Sequence, residues 1–196
     1  MIPAARSATT VGAAALTVAI PASFPAGGGP TTLDTAVSTP ITESVSPGLA
    51  AWLVVPSDGP VVLALLLAAV GWFAVRRRWW AAVTMLVVPE LAVAINTWAL
   101  KPLWERPIQD NLAYPSGHTV HLVAVATTFA CLVSDLRARV AVAALTLLAL
   151  VCVLPGMVVL GYHYPTDVLG GVVAAVAMAV AGCALAAALR DRLGRA

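Results

Sequence analysis

Two short polar knots are set into a chain that otherwise reads as a succession of long apolar runs, and that alternation leaves few folds open. The runs cover residues 7–24, 60–75, 81–100, 118–133, 140–160 and 166–189. A helix that crosses a bilayer needs about 20 mostly apolar residues. Only 10% of the residues are charged, 61% are hydrophobic and the mean hydropathy is +0.94, whereas a soluble domain carries about 25% charge. The pattern predicts an all-α polytopic membrane protein, a six-transmembrane-helix bundle with both termini cytoplasmic, built as a single domain over 1–196. The first run has a basic start and a short core, as a cleaved signal sequence does. It reads better as a retained span, because its removal would leave an odd number of spans. Residues 26–59 are rich in Gly, Pro, Thr and Ser, hold no Lys or Arg, and read as an extracytoplasmic loop. Within them, 49–55 is apolar but too short to span, which suits a segment in the interface or one plugged back against the bundle.

The cations orient the bundle. Loops on the inner side of a membrane carry an excess of Lys and Arg. With both termini inside, nine of the eleven fall on the inner face: Arg6, Arg76, Arg77, Arg78, Arg137, Arg139, Arg190, Arg192 and Arg195. Lys101 and Arg106 are the two exceptions. Both lie in the first knot, 101–121, and the second knot, 161–167, falls on the same outer face. Two cations against the topological trend point to a chemical role. The scattered inner cations give no support to nucleic-acid binding.

The first knot reads KPLWERPIQDNLAYPSGHTVH. Pro115 and Gly117 form a turn at the start of an apolar run, so a helix begins there. Its free N–H groups and partial positive charge suit a phosphate or a carboxylate. Ser116 adds a hydroxyl, Gly117 lets the backbone approach closely, and Lys101 and Arg106 add formal charge. The second knot places His163 and Asp167 four residues apart, with Pro165 at a helix start. That spacing lets Asp167 accept a hydrogen bond from one ring nitrogen of His163, which prepares the other nitrogen as a nucleophile or a general base. His118 is then placed to protonate a departing oxygen. The parts add up to phosphoryl transfer by positioning and charge stabilisation, with no cofactor and no metal.

The order Lys-x4-Arg-Pro, Pro-Ser-Gly-His and His-x3-Asp ahead of a Gly-Gly helix resembles the type 2 phosphatidic acid phosphatase (PAP2) superfamily, over about residues 60–189. The resemblance implies a six-helix membrane bundle with an outward-facing site and a phosphohistidine intermediate. It implies His163 as nucleophile, Asp167 as its orienting carboxylate and His118 as general acid, with Lys101, Arg106, Ser116 and the Gly117 backbone holding phosphate. Two departures stand out. The family's first motif spaces Lys and Arg-Pro by six residues, and here Ile108 and Gln109 hold those later positions. The third motif opens on Ser-Arg, where this chain has Gly156 and Met157.

The expected function is therefore an integral phosphatase of the plasma membrane, independent of metal. It would act on a lipid phosphate in the outer leaflet, either a polyprenyl phosphate or pyrophosphate or a phosphatidyl-type lipid. The missing third-motif Arg motivates an alternative, a non-catalytic lipid-phosphate binder or transporter. A metal-dependent hydrolase using His118, His163 and Asp167 as ligands is a further alternative. His121, one turn beyond His118, is expected in a supporting role. Glu90, beside Pro89 in mid-span, suggests a polar partner or a proton path. Trp98 and Trp104 read as an interfacial belt. Cys131, Cys152 and Cys183 sit inside apolar runs as small hydrophobes.

Overall fold

The computed structural model describes residues 3–194, so Met1, Ile2 and the tail residues Arg195 and Ala196 lie outside it. Among the described residues the chain is all-α apart from one short β-hairpin with two residues in each strand. Helix α1 (Pro3–Ala19) is followed by α2 (Thr32–Ser44), α3 (Pro47–Val54), α4 (Gly59–Val75) and α5 (Trp79–Ile95). A π-helical turn (Asn96–Leu100) carries α5 into the short α6 (Lys101–Trp104). The hairpin β1 (Pro107–Ile108) and β2 (Asn111–Leu112) comes next, then α7 (Gly117–Leu132), α8 (Leu136–Val159) and α9 (Pro165–Leu193).

Among the described residues, four helical stretches are long and apolar enough to cross a membrane: Pro47–Val75, Trp79–Trp104, Leu136–Val159 and Pro165–Leu193. Two shorter apolar helices, Ser7–Ser23 and Gly117–Leu132, coincide with the remaining expected spans. Leu, Val and Trp side chains stay exposed along α4, α5 and α8. In water such a surface would be untenable, and in hydrocarbon it is the expected outer face. The protein is a multi-pass membrane protein.

Packing concentrates on α7 and α9. Ala92, Val120, Val123, Ala124, Ala174 and Ala175 form a core of small and branched residues between α5, α7 and α9. Without a hydrophobic drive between helices in lipid, small residues that let backbones approach do the binding. Gly170 and Gly171 take this furthest. A Cβ on Gly170 would overlap the Tyr114 ring, and one on Gly171 would lie 2.8 Å from Thr119 Cβ and 2.9 Å from the Ser116 carbonyl. The Gly-Gly pair thus sets the close contact of α9 with the turn that opens α7.

At the opposite end, Arg78 Nη2 donates to the Leu132 carbonyl at 2.8 Å, and Arg139 Nη2 donates to the Val133 carbonyl at 2.6 Å. These cations satisfy carbonyls at the C-terminus of α7, where the helix dipole favours positive charge.

The segment 26–59, expected as a loop, is largely helical. Thr31 and Asp34 form a capping box that starts α2: Asp34 N–H donates to Thr31 Oγ1 at 3.0 Å and Thr31 N–H donates to Asp34 Oδ2 at 2.9 Å. The apolar stretch 49–55 forms most of α3, which takes the bundle-side placement, lies against α8 and runs on through a 3₁₀ turn (Val55–Ser57) into α4.

Candidate active site

The two knots meet at one end of the bundle. The Ser116 N–H donates to the Asp167 carbonyl at 3.0 Å, stitching the start of α7 to the start of α9. The Tyr114–Pro115 peptide preceding this junction is cis. Asn96, fully buried in the π-helical turn, donates from Nδ2 to the Pro115 carbonyl at 3.3 Å. A cavity of ≈ 600 Å³ opens beside the junction, with Lys101, Gly117, His118, His121, Tyr162 and His163 among its lining.

The two histidines expected to share the chemistry face each other there. The His118 and His163 ring centroids are 5.9 Å apart with planes at 75°, and His118 also lies parallel to Tyr162 at 6.2 Å. The His163 ring is 7% exposed. Burial, and then the positive charges of Lys101 and His118, lower its pKa to about 3, against the pull of the Ala113 carbonyl. The ring is therefore neutral at physiological pH, the form in which imidazole nitrogen carries a lone pair.

Asp167 sits behind His163, but the hydrogen bond expected between them is not formed. His163 Nδ1 lies 3.9 Å from Asp167 Oδ2 and has no hydrogen-bond partner. The carboxylate is held elsewhere. Its Oδ2 accepts the Tyr164 N–H at 2.8 Å, and its Oδ1 accepts from Arg106 Nη1 at 2.6 Å.

The phosphate ligands need two corrections. Arg106, expected to bind phosphate, is 1% exposed and faces inward. Nε donates to the Gly28 carbonyl at 3.1 Å, and Nη1 to Thr166 Oγ1 at 2.7 Å and Asp167 Oδ1 at 2.6 Å. Nη2 donates to the Gly29 carbonyl at 2.9 Å and Asp34 Oδ2 at 2.8 Å. A guanidinium has five N–H donors, and all are engaged within the protein. The rings of Phe24 and Tyr164 cover its faces, at 3.9 and 4.5 Å from Cζ. Ser116 is likewise fully buried. Its Oγ accepts the Thr119 N–H at 3.4 Å as the N-cap of α7 and takes part in a 3.1 Å bond with Thr119 Oγ1. The side chain serves the helix and not the cavity. Gly117 and Lys101 do face the cavity, with the Lys101 ammonium donating to the Leu112 carbonyl.

The third-motif departures also have a structural reason. A Cβ on Gly156 would lie 2.8 Å from the Ala50 carbonyl oxygen and 2.9 Å from the Val54 nitrogen, so α3 occupies the space a larger residue would need. Met157 is fully buried, its sulfur 3.9 Å from Ser116 Oγ.

His121, placed in a supporting role, lines the cavity and pairs through Nε2 with Glu90 Oε1 at 3.1 Å. That contact supplies the polar partner Glu90 needed in mid-span. No group of three His, Cys, Asp or Glu side chains among the described residues is arranged to hold a metal ion. Three residues with a place in this architecture were missed in the sequence: Asp34, Thr166 and Asn96. The Thr-x-x-Asp capping signature at Thr31 was a readable sign that Asp34 begins a helix, though not that the helix folds under the site.

Fold and site together define a polytopic membrane protein organised around a polar chamber with two facing histidines. The chain belongs to the PAP2 superfamily, whose family model matches residues 92–191 and so spans both knots. The fold is similar to the crystal structure of a transmembrane PAP2 type phosphatidylglycerolphosphate phosphatase from Bacillus subtilis. The TM-score is 0.70 at 22% identity, over 95% of this chain and 96% of that one. A comparison with curated protein sequences found no match.

Proposed function

We propose that this protein is a membrane lipid phosphatase that works through a phosphohistidine, with His163 as nucleophile. The observation that carries the reading is the facing pair His118 and His163 in one cavity, 5.9 Å apart, with His163 buried and neutral. Nε2 of His163, the ring nitrogen that does not face Asp167, attacks phosphorus as the P–O bond to the lipid breaks. His118 gives its proton to the departing alkoxide. Water then attacks the phosphorus of the phosphohistidine, His118 takes a proton back, and inorganic phosphate leaves with the N–P bond broken. Asp167 supports the charge that the imidazole acquires during attack. Lys101 and the N–H groups at the start of α7, beginning with Gly117, hold the phosphoryl oxygens.

The bundle is read as six spans in a single domain, with both termini in the cytoplasm and the cavity at the outer leaflet of the plasma membrane. The nine-to-two division of the cations supports that orientation. The substrate is a phosphatidyl-type lipid phosphate or a polyprenyl phosphate or pyrophosphate. The cavity is far larger than a phosphate group and leaves room for part of a head group.

A second reading has its own support. Among the residues lining the cavity, Lys101 is the one lysine or arginine, because Arg106 is engaged below and Met157 stands where the family has Arg. A charged hydrogen bond to phosphate is worth roughly 1.5–3 kcal/mol. The weakened set favours a lipid-phosphate binder without turnover. Phosphate release from a panel of lipid phosphates in detergent with EDTA, comparing wild type with His163→Ala, separates the readings. Release by wild type that falls at least about 10³-fold in the variant supports histidine chemistry without metal. Binding without release by a folded wild type supports the binder, and release abolished by EDTA and restored by a divalent metal refutes the metal-free mechanism.

A further inference from the structure

Asp34 lies far from the knots in sequence and outside the residues the family model matches, yet it is fully buried beside them. Its Oδ1 accepts the Thr166 N–H at 2.8 Å, one of the donors that the first turn of α9 leaves without a helical partner. Its Oδ2 accepts from Thr166 Oγ1 at 2.9 Å and from Arg106 Nη2 at 2.8 Å. Burial favours its protonation, but the Thr31 N–H, Arg106 and the two Thr166 donors outweigh it and hold the pKa below the usual carboxylate range. Asp34 is thus a carboxylate at neutral pH, and Arg106 is shared between two carboxylates.

The sharing has a geometric consequence. An arginine facing one carboxylate tends to bind both its oxygens with two parallel N–H bonds. Here Asp34 occupies Nη2, so Arg106 reaches Asp167 through Nη1 alone and touches only Oδ1. Asp167 Oδ2 is left on the side of His163 Nδ1, 3.9 Å away. We propose that Asp34 is a positioning residue for the histidine chemistry: by holding one arm of Arg106 it keeps the guanidinium on a single oxygen of Asp167 and leaves the other, which accepts only the Tyr164 N–H, on the side of His163.

The inference rests on the phosphatase reading, and Asp34→Asn tests it. Asn is close to isosteric and keeps an acceptor for the Thr166 N–H, while Arg106 retains Asp167 as its charged partner. Released from Asp34, the guanidinium is expected to move onto both oxygens of Asp167 and draw Oδ2 from His163. The expected result is a fall in kcat of about 10- to 100-fold, the range for lost outer-shell support of a catalytic group, with KM within about twofold. The ¹⁵N shifts of the His163 ring should report a changed balance of the two tautomers. A folded Asp34→Asn variant with unchanged kcat and unchanged His163 shifts overturns the proposal. So does a loss of kcat that is wholly accounted for by a smaller folded fraction with unchanged shifts. If Asp34→Asn does not fold, Asp34→Ser, which also removes the carboxylate from Arg106 Nη2 with a smaller side chain, is read by the same two criteria. A wild type that releases no phosphate refutes the phosphatase reading itself, whereas an active wild type with an indifferent Asp34→Asn refutes only the role of Asp34.

Discussion

At the scale of residues, the site is defined by which polar groups are free and which are already bound. Lys101, Gly117, His118 and His163 face the cavity, while Ser116 and Arg106, chemically just as suited to phosphate, are turned into the protein. A side chain's chemistry was legible in the sequence, but its direction was not. The buried neutral His163 makes a pH prediction. Its pKa is about 3 in the folded protein, against about 6.5 when exposed. Between those values the unfolded chain binds the proton and the folded one resists it. Its contribution to stability is therefore complete above pH ~6.5 and is lost as the pH falls toward 3. Thermal unfolding in detergent from pH 7 to 5 isolates the ring when the wild-type Tm is followed against that of a variant without it. The wild-type Tm should drop relative to that of His163→Gln as the pH is lowered, and equal pH dependence of the two would contradict the buried neutral ring.

Elements decide how closely the two knots approach. The Gly170–Gly171 pair lets α9 close on Tyr114 and Thr119, and Gly156 lets α3 close on α8. The last contact bears on the departures from the family pattern. Restoring the third motif with Gly156→Ser and Met157→Arg looks like a repair when judged by sequence. In this fold the serine Cβ would meet the Ala50 carbonyl oxygen at 2.8 Å, and the arginine would enter a fully buried position held by Met157. Overpacking of this kind costs about 1–3 kcal/mol, and a charge without a partner in place costs more. The double variant is expected to lower Tm without raising phosphate release, as measured by thermal unfolding beside the activity assay. A gain in activity at unchanged Tm would show that α3 yields readily.

On the scale of the whole molecule, the N-terminal third acts as part of the site's foundation. The Tyr114 hydroxyl donates to the Thr17 carbonyl at 2.6 Å, and Arg106 is held by Gly28, Gly29 and Asp34. The proposed orientation makes a separate prediction. In a cysteine-free background, Asp110→Cys at the hairpin should react with a membrane-impermeant maleimide on intact cells. Arg137→Cys, at the start of α8, should react only after permeabilisation. The reverse pattern would place the cavity on the cytoplasmic side.

The apolar runs determined the helices and the membrane, because a backbone in hydrocarbon must satisfy its own hydrogen bonds and the run lengths match a bilayer. The motif order located the two knots, and with them His118, His163, Lys101 and Gly117. Tertiary structure alone decided what lies beneath them. Thr31 and Asp34 carried a local capping signal, but the burial of Asp34 against Thr166 and Arg106 depends on a return of the chain across more than 70 residues. The same holds for Arg106, whose charge and place in the first knot suited phosphate equally well. Its placement was set by two carboxylates and two backbone carbonyls that converge only in the folded chain. Local pattern fixes secondary structure because its forces act within a turn or two of helix, whereas the partner of a buried charge is set by packing between distant segments.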